Sequence, residues 1–463
     1  MKRTSRSAGV TAVFCFAMVL GQAALLAAPA SAQEGLSTLD FRKVVKDAKD
    51  KVFPAVVFIK CIRETFTRGK KISQEITGSG VIISATGEAL TNHHVVDKAV
   101  EVRCLLWDGR AFEAKVLGTD KDTDLALLQL DVKPGTKPLP FATLGDSTKL
   151  KEGDFVMAMG APWGLARSVS IGIISCTNRF LPTRSEYSLW LQTDASIGQG
   201  NSGGPLVNTD GEIVGITAMG ILAGGGMGFS IPSETVRFIV AQVREHGRVN
   251  WSWTGLRLQP LRDFNKNIYF NATEGFMVAG TDPESPARRA GLLPRDRVVA
   301  INGKKITATT AEELPAVRHA LGLLPKGEPA QLTIVRNDKT LQIRVTPTEK
   351  GKVEGEELDC PRWDFTIKAI NRFDNPNLYF HRKKGVFVYG IKYPGNASGS
   401  GLHRDDILLE IGGKSVTTLE EVKAIHKSSI DNIKKKHRIV ISVLRNGLLR
   451  QVVLDFKRDY EKE

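Results

Sequence analysis

The stretch DASIGQGNSGGPLVN, residues 194–208, decides the fold and the chemistry that this chain can carry. Ser202 lies among small residues, and runs typical of β-strands stand before and after it. Glycines permit a turn in which consecutive N–H groups point at one spot and a substrate backbone can come close. A serine is a weak nucleophile alone and needs a base, which in turn needs an orienting group. The plain alternative is a glycine-rich turn with an inert serine.

Two upstream motifs supply the missing groups. LTNHHVV (90–96) holds two histidines, and TDLALLQL (123–130) holds an aspartate, which gives the order His, Asp, Ser. On a β-rich chain this order is typical of the chymotrypsin-like arrangement and not of the subtilisin or α/β-hydrolase order. On extended backbone the side chains of His93 and His94 would point to opposite faces, so the two cannot share one role.

The chain around these motifs has the pattern of a β protein. From Ala55 to about Ser230, short runs rich in Val, Ile and Leu alternate with glycines, which indicates an all-β barrel or sandwich. Helical spacing predicts a helix before Pro54 and another over 231–247, ended by Gly247. Residues 248–255 are expected to form a linker.

With these motifs the chain resembles the HtrA (Deg) family of serine proteases, in which one or two PDZ domains follow a trypsin-like domain. The stretches that carry the resemblance are GSGVIIS, LTNHHVV, TDLALLQL, GAPWGL, QTDASIGQGNSGGPLVN and MGFSIPS. The resemblance implies a mainly β fold, a chymotrypsin-like double β-barrel followed by two α+β PDZ domains. The limits expected for the three domains are 36–248, 254–350 and 357–457.

The resemblance assigns catalysis to His94, Asp124 and Ser202. His93 falls on the variable position of the family motif and is expected to be a partly exposed neighbour without a catalytic role. Asp120 and Asp122 are expected to be solvated in the preceding loop.

The turn around Ser202 predicts an oxyanion hole from Gly200 and Ser202, with Asn201 between them. The resemblance places a substrate pocket at Ser196, Ile197, Ile216, Thr217, Ala218, Gly228 and Phe229. No acid is among these residues, so small or medium aliphatic substrate side chains are expected. The family usually has Asn-Pro before the glycine, where this chain has Gly198-Gln199. We therefore expect a looser loop, low basal activity and cooperative activation.

Beyond the linker the chain repeats itself at an offset of 110 residues. NIYFNATEGFMVAG (267–280) matches NLYFHRKKGVFVYG (377–390), and AGLLPRDRVVAINGK (290–304) matches SGLHRDDILLEIGGK (400–414). Two copies of one module explain this better than chance. The copies resemble PDZ domains, which implies peptide-binding loops at Glu274-Gly275-Phe276-Met277 and Lys384-Gly385-Val386-Phe387. Alternatively, one repeat only packs against the protease or a neighbouring subunit.

The start of the chain predicts export. Lys2, Arg3 and Arg6 precede an apolar run to about Ala28 and then an Ala-x-Ala site, which predicts a signal peptide over 1–32 with cleavage after Ala32. The alternative is a retained anchor. We expect a periplasmic protein if the cell is Gram-negative, or a secreted one.

Composition limits the remaining classes. The 463 residues carry a net charge of +14, which falls to +11 without residues 1–32. This charge allows a nucleic-acid-binding alternative, but no aromatic-interleaved motif accompanies it, so no nucleic acid is expected as a partner. Four cysteines remain after the signal, as free thiols or as disulfides in any of three pairings: Cys61, Cys104, Cys176 and Cys360.

No zinc-ligand spacing and no phosphate-binding loop are present, so neither a metal nor another cofactor is expected. The leading hypothesis is an exported, ATP-independent serine endopeptidase that cleaves misfolded or unfolded proteins. The competing hypothesis is a peptide-binding chaperone or scaffold with little or no hydrolysis. The resemblance also implies C-terminal peptides as PDZ ligands, and a homotrimer or a larger assembly of trimers.

Overall fold

The computed structural model describes residues 40–162, 167–198, 200–221, 226–265 and 272–460. The expected signal peptide and the first residues of the expected protease domain lie outside these ranges. Within them, no helix has both the length and the apolar character that crossing a membrane requires.

Six strands close the first barrel in the order β1-β2-β3-β6-β5-β4. The elements of this barrel are β1 Val56–Thr67, β2 Lys70–Ile82, β3 Glu88–Asn92, α2 His93–Val96, β4 Ala99–Leu105, β5 Ala111–Asp120 and β6 Leu125–Leu130. The helix α1, Phe41–Val52, precedes it, as the helical spacing predicts. Strand β6 has the sequence LALLQL, and its first four side chains are completely buried. This strand joins the loop that carries Asp124 to the barrel core.

The second barrel closes in the order β10-β11-β12-β9-β8-β7. Its strands are β7 Phe155–Gly160, β8 Ser168–Arg179, β9 Trp190–Thr193, β10 Pro205–Asn208, β11 Ile213–Ile221 and β12 Met227–Pro232. The helix α3, Ser233–His246, follows and ends at Gly247, which adopts a left-handed φ of 68°. Val243 of this helix packs on Gly118 of β5, where a Cβ would lie 2.8 Å from the valine side chain. The helix therefore joins the two barrels.

The first repeat forms a sheet in the order β14-β15-β16-β18-β19. Its elements are β13 Ser252–Trp253, β14 Leu256–Gln259, α4 Leu261–Asn265, β15 Phe276–Thr281, α5 Pro286–Arg289, β16 Arg297–Ile301, β17 Lys304–Lys305, α6 Leu314–Gly322, β18 Ala330–Arg336, β19 Lys339–Val345 and β20 Thr348–Glu349. Strands β13 and β20 pair with each other apart from this sheet. Trp251 and Trp253, which were expected in a linker, are both buried.

The second repeat forms a sheet in the order β21-β22-β23-β24-β26-β27. Its elements are β21 Glu357–Cys360, β22 Phe365–Ala369, α7 Pro376–His381, β23 Val386–Ile391, α8 Asn396–Gly399, β24 Ile407–Ile411, β25 Lys414–Ser415, α9 Leu419–Asp431, β26 Arg438–Arg445 and β27 Leu448–Asp455. With two closed barrels and two such sheets, the predicted fold class is confirmed.

A buried ion pair recurs in both repeats. Asp296 receives Arg336 on both carboxylate oxygens at 2.6 and 2.7 Å, and Asp406 receives Arg445 at 2.7 Å on each. Both aspartates are almost completely buried. The two aspartates lie at matching positions of the two repeats, and they therefore have the same structural role.

The four cysteines among the described residues are unbridged: Cys61, Cys104, Cys176 and Cys360. Cys61 and Cys104 lie on the neighbouring strands β1 and β4, but Cys61 faces Val102 and Cys104 faces Ile59. Burial raises the pKa of both thiols to about 12, so they behave as core residues.

Candidate active site

The two neighbouring histidines begin helix α2 and do not lie on extended backbone, so that expectation is wrong. Asn92 before them is extended, and the helical turn then separates successive side chains by about 100°. The Nδ1 atom of His94 lies 2.8 Å from Oδ2 of Asp124 and 3.1 Å from Oδ1. The His94 side chain is 46% exposed, whereas that of His93 is only 18% exposed, and burial lowers the pKa of His93. His94 is therefore the accessible ring with a carboxylate partner.

Asp124 fixes both the ring and the backbone of this turn. Its φ of 58° lies in the left-handed region, which aspartate tolerates better than most residues. Its carbonyl oxygen accepts hydrogen bonds from Asn92 Nδ2 (3.0 Å) and from the N–H of His93 (3.1 Å). Its Oδ1 atom accepts the N–H of His94 at 3.0 Å. The His94–Asp124 geometry is thus built into the start of α2.

The turn that carries Ser202 is tied to strand β2. The N–H of Ser79 donates to the carbonyl oxygen of Ser202 (2.8 Å), and Ser79 Oγ donates to that of Gly200 (2.6 Å). Gly203 has a φ of 87°, and a Cβ there would lie 2.2 Å from the carbonyl oxygen of Ser79. Only glycine fits this contact, which explains the residue after the serine.

Strand β2 also brings the serine turn to helix α2. A Cβ on Gly78 would lie 2.9 Å from the methyl groups of Val95 and 3.3 Å from the carbonyl oxygen of Ser202. Because Val95 directly follows His94, the absence of a side chain at Gly78 lets the His94 helix and the Ser202 turn lie close together. Ser202 Oγ donates to the carbonyl oxygen of Ala218 at 3.1 Å. The structure describes both Ser202 and His94, and it shows no hydrogen bond between them.

Two backbone N–H groups of the serine turn are candidates for an oxyanion hole. The N–H of Asn201 donates to the carbonyl oxygen of Gly198 at 3.1 Å. Within the described residues, the N–H groups of Gly200 and Ser202 have no acceptor. The N–H groups of Gly200 and Ser202 flank the hydrogen-bonded N–H of Asn201, and they can stabilise a negatively charged oxygen near the serine. Gln199 lies outside the described residues.

Three of the expected pocket residues are buried structural residues. Thr217 Oγ1 donates to the carbonyl oxygens of Asn201 (2.6 Å) and Gly204 (2.9 Å), so it holds the serine turn in place. Ile216 and Phe229 belong to the barrel core, with exposures of 0% and 2%. A direct contact of these three with substrate stays a prediction.

The other four pocket candidates are Ser196, Ile197, Ala218 and Gly228, of which Ala218 contacts Ser202 directly. A Cβ on Gly228 would lie 2.5 Å from Cδ1 of Ile197, so the isoleucine side chain packs over this glycine. Ser196 is exposed next to it, and Ala218 supplies the carbonyl that holds Ser202 Oγ. The preference for small or medium aliphatic substrate side chains stays a prediction.

In the first repeat, the expected peptide-binding loop does not border a free strand edge. Phe276 and Met277 belong to β15, which lies between β14 and β16. The N–H of Gly275 donates to Thr307 Oγ1 at 3.1 Å, and the Glu274 side chain pairs with Lys305. Among the described residues, this sheet has two outer strands: β14, which follows the turn at Gly255, and β19.

In the second repeat, the expected loop also leads into an inner strand. Val386 and Phe387 begin β23, which lies between β22 and β24, and the carbonyl oxygen of Gly385 accepts the N–H of Ile370. Strand β22 is the counterpart of β14, and β21 covers its outer edge. The two repeats therefore present different edges to solvent.

The two aspartates before Asp124 are not solvated, so that expectation is wrong. Asp120 is 6% exposed, and burial together with the nearby Asp122 raises its pKa to about 6. The Asp122 side chain is 19% exposed and forms an ion pair with Lys350 at 2.6 Å. No local signal in the sequence indicates a partner so far along the chain.

The geometry supports acyl transfer. The His94–Asp124 pair can take up and return a proton, and the serine turn provides a nucleophile beside two N–H donors. In the described ranges, no three His, Cys, Asp or Glu side chains lie close enough together to hold a metal ion.

Fold and site together define a trypsin-like serine protease with PDZ modules. The family model "Trypsin-like peptidase domain" matches residues 78–216, and "PDZ domain" matches residues 277–321. A probable periplasmic serine endoprotease, DegP-like, of Chlamydia trachomatis serovar D is 32% identical over 387 residues, covering 82% of this chain and 74% of that protein. Its Halomonas elongata counterpart is 33% identical over 390 residues, covering 82% and 79%.

Solved structures agree with these relatives. The HtrA-type protease AlgW with a decapeptide is 30% identical and has a TM-score of 0.58, covering 66% of this chain and 99% of that chain. The serine endoprotease from Yersinia pestis is 32% identical with a TM-score of 0.52, covering 66% and 97%. The chain belongs to the HtrA/Deg family and is a serine endopeptidase.

Proposed function

We propose that the chain cleaves unfolded or misfolded proteins through a triad of His94, Asp124 and Ser202. The observation that carries this proposal is the 2.8 Å contact between His94 Nδ1 and Asp124 Oδ2. It leaves the other ring nitrogen of an exposed histidine available beside the serine turn.

In the proposed reaction, His94 takes the proton of Ser202 Oγ as the oxygen attacks the scissile carbonyl carbon. Asp124 holds the imidazole in one tautomer and stabilises its charged form. The N–H groups of Gly200 and Ser202 bind the oxyanion, each typically contributing roughly 10²–10³ in rate. His94 then protonates the leaving amine, and water hydrolyses the acyl-enzyme by the same steps.

The resting position of Ser202 supports low basal activity. Its hydroxyl donates to Ala218 and must turn away before His94 can accept the proton. We expect a sigmoidal dependence of the rate on the concentration of unfolded substrate. A hyperbolic curve with full activity at low substrate would contradict it.

The remaining parts of the proposal concern partners and location. Peptides pair with the open edge of β14 in the first repeat, as PDZ domains pair with peptides. The relatives are named periplasmic, which supports export by the segment 1–32. The domain limits 36–248, 254–350 and 357–457 and a trimer-based assembly remain part of the proposal.

A second candidate function is a peptide-binding chaperone with a resting serine. The hydrogen bond from Ser202 Oγ to Ala218, in place of one to His94, favours this alternative. It predicts peptide binding without turnover.

A matched set of variants separates the two functions. Ser202→Ala should reduce β-casein hydrolysis by up to roughly 10⁶ and abolish labelling by a fluorophosphonate probe. His94→Ala should reduce hydrolysis severely, whereas His93→Ala should retain it within about tenfold, because the His93 ring lies 3.8 Å from Asp97 and is not bonded to Asp124. Ser73→Ala, at an exposed site on β2, is the control. Casein cleavage that survives Ser202→Ala would reject the triad.

A further inference from the structure

The segment that leaves the first repeat is anchored to the loop that carries Asp124. Lys350 directly follows β20, and its Nζ atom lies 2.6 Å from Asp122 Oδ2 and 3.1 Å from Tyr187 Oη. The Lys350 side chain is 12% exposed, and its ammonium lies 4.8 Å from the centre of the Tyr187 ring. A lysine this deeply buried keeps its charge only because a carboxylate faces it.

A second contact anchors the same loop. Asp120 accepts hydrogen bonds from the N–H of Thr123 (3.0 Å), from Thr123 Oγ1 (2.7 Å) and from Trp251 Nε1 (3.2 Å). The carbonyl oxygen of Trp251 accepts the N–H of Lys350 at 2.9 Å. The tryptophan and the lysine thus form one unit that holds both aspartates.

The loop is short enough to transmit a displacement. Only residues 121–124 separate the end of β5 from the start of β6, and Asp124 lies two residues from Asp122. Lys121 in the same loop forms an ion pair with Glu354, which also belongs to the segment between the repeats. Lys121 and Asp122 of the loop, together with Asp120 at the end of β5, therefore contact residues outside the barrel.

We infer that Lys350 is a positioning residue for Asp124, acting through its ion pair with Asp122. The inference rests on the proposed triad. Without this ammonium the loop loses one of its three anchors, and Asp124, two residues beyond Asp122, is held less precisely against His94. The reactivity of Ser202 then depends on a residue that follows the first repeat.

The test measures the rate of fluorophosphonate labelling and the kinetics of β-casein hydrolysis with the full chain. Lys350→Met should slow labelling and lower kcat by roughly tenfold to hundredfold, with KM little changed, because misplaced catalytic groups cost this much. Lys350→Arg keeps the charge and should restore most of the rate. Lys352→Met is the matched control, since that side chain is 75% exposed and pairs with Glu356.

A double variant separates positioning from simple charge balance. Asp122→Asn combined with Lys350→Met removes both charges, so no unpaired charge stays buried, and a melting curve checks that it folds. We expect it to label as slowly as Lys350→Met. Wild-type labelling by the double variant or by Lys350→Met would overturn the inference. If Ser202 is not labelled even in the wild type, the proposed triad fails instead.

Discussion

The two repeats share one sheet order and differ at one strand edge. Among the described residues, β14 is an outer strand of the first repeat's sheet, whereas in the second repeat the equivalent strand β22 is covered by β21. Strand β21 pairs antiparallel with β22, from Glu357 opposite Lys368 to Cys360 opposite Phe365. A strand edge is a template for another chain unless something covers it. The first repeat therefore offers the edge of β14 for pairing with another chain, whereas in the second repeat β21 already pairs with the equivalent edge of β22.

The covering strand is held from three sides. It packs against α9, Glu357 pairs with Lys368 (3.1 Å) and with Lys98 of the first barrel (3.0 Å), and Asp359 accepts the N–H of Lys71 at 3.2 Å. Cys360 at its end is completely buried in the core of the repeat. The second repeat thus uses its covered edge to contact the protease barrel.

The largest expected difference concerns the tryptophans that precede the two strands, Trp253 and Trp363. Trp363 is completely buried against Phe365, whereas Trp253 lies beside Arg372, 4.1 Å from the guanidinium carbon to the ring centre. Trp363→Ala should cost about 3–5 kcal/mol of the unfolding free energy of the second repeat. Trp253→Ala should cost the first repeat less.

Hydrogen exchange of the slowest amides in each repeat measures both losses within the intact chain. Equal losses from the two substitutions would show that the tryptophans have equivalent surroundings, and the comparison of the two repeats would then fail at this position.

The second expected difference lies in the edges themselves. With Ser202→Ala, the backbone amides of β22 should exchange roughly a hundredfold more slowly than the solvent-facing amides of β14, because only the former are paired on both sides. A synthetic peptide with a free C-terminal carboxylate should then protect 254–259 and not 363–369. The same peptide with an amidated C-terminus is the control. Protection of 363–369 would mean that the peptide readily displaces β21 from β22.

The family motifs predict the contact of His94 with Asp124, whereas the support of this contact depends on distant partners. The structure shows that contact, and it places Asp296 and Asp406, which the repeat pattern matches, in equivalent ion pairs. The burial of Asp122 could not be predicted, because its partner Lys350 lies 228 residues further along the chain. The pairing of β21 with β22 could not be predicted either, because the sequence of β21 resembles that of any other short strand. Interactions between distant segments carry no local signal.

The smallest expected difference is a response to acid in the second repeat. His426 of α9 stands edge-on to Trp363 with ring centres 4.8 Å apart, and its Nε2 atom has no hydrogen-bond partner among the described residues. In the first repeat, burial also lowers the pKa of His319 on helix α6. Burial lowers the pKa of His426 from 6.5 to about 4. The folded repeat therefore binds this proton more weakly than the unfolded chain, and its stability is complete above pH 6.5 and falls as the pH drops toward 4.

Between pH 7 and 5.5 the second repeat should lose about 1 kcal/mol of unfolding free energy through this one group. His426→Leu should remove that part of the pH dependence, because leucine fills similar space and cannot be protonated. His381→Leu, on α7 of the same repeat, is a control for histidine loss in general. Exchange of the slowest amides at the two pH values measures the change. An unaltered pH dependence in His426→Leu would show that another group makes the second repeat sensitive to acid.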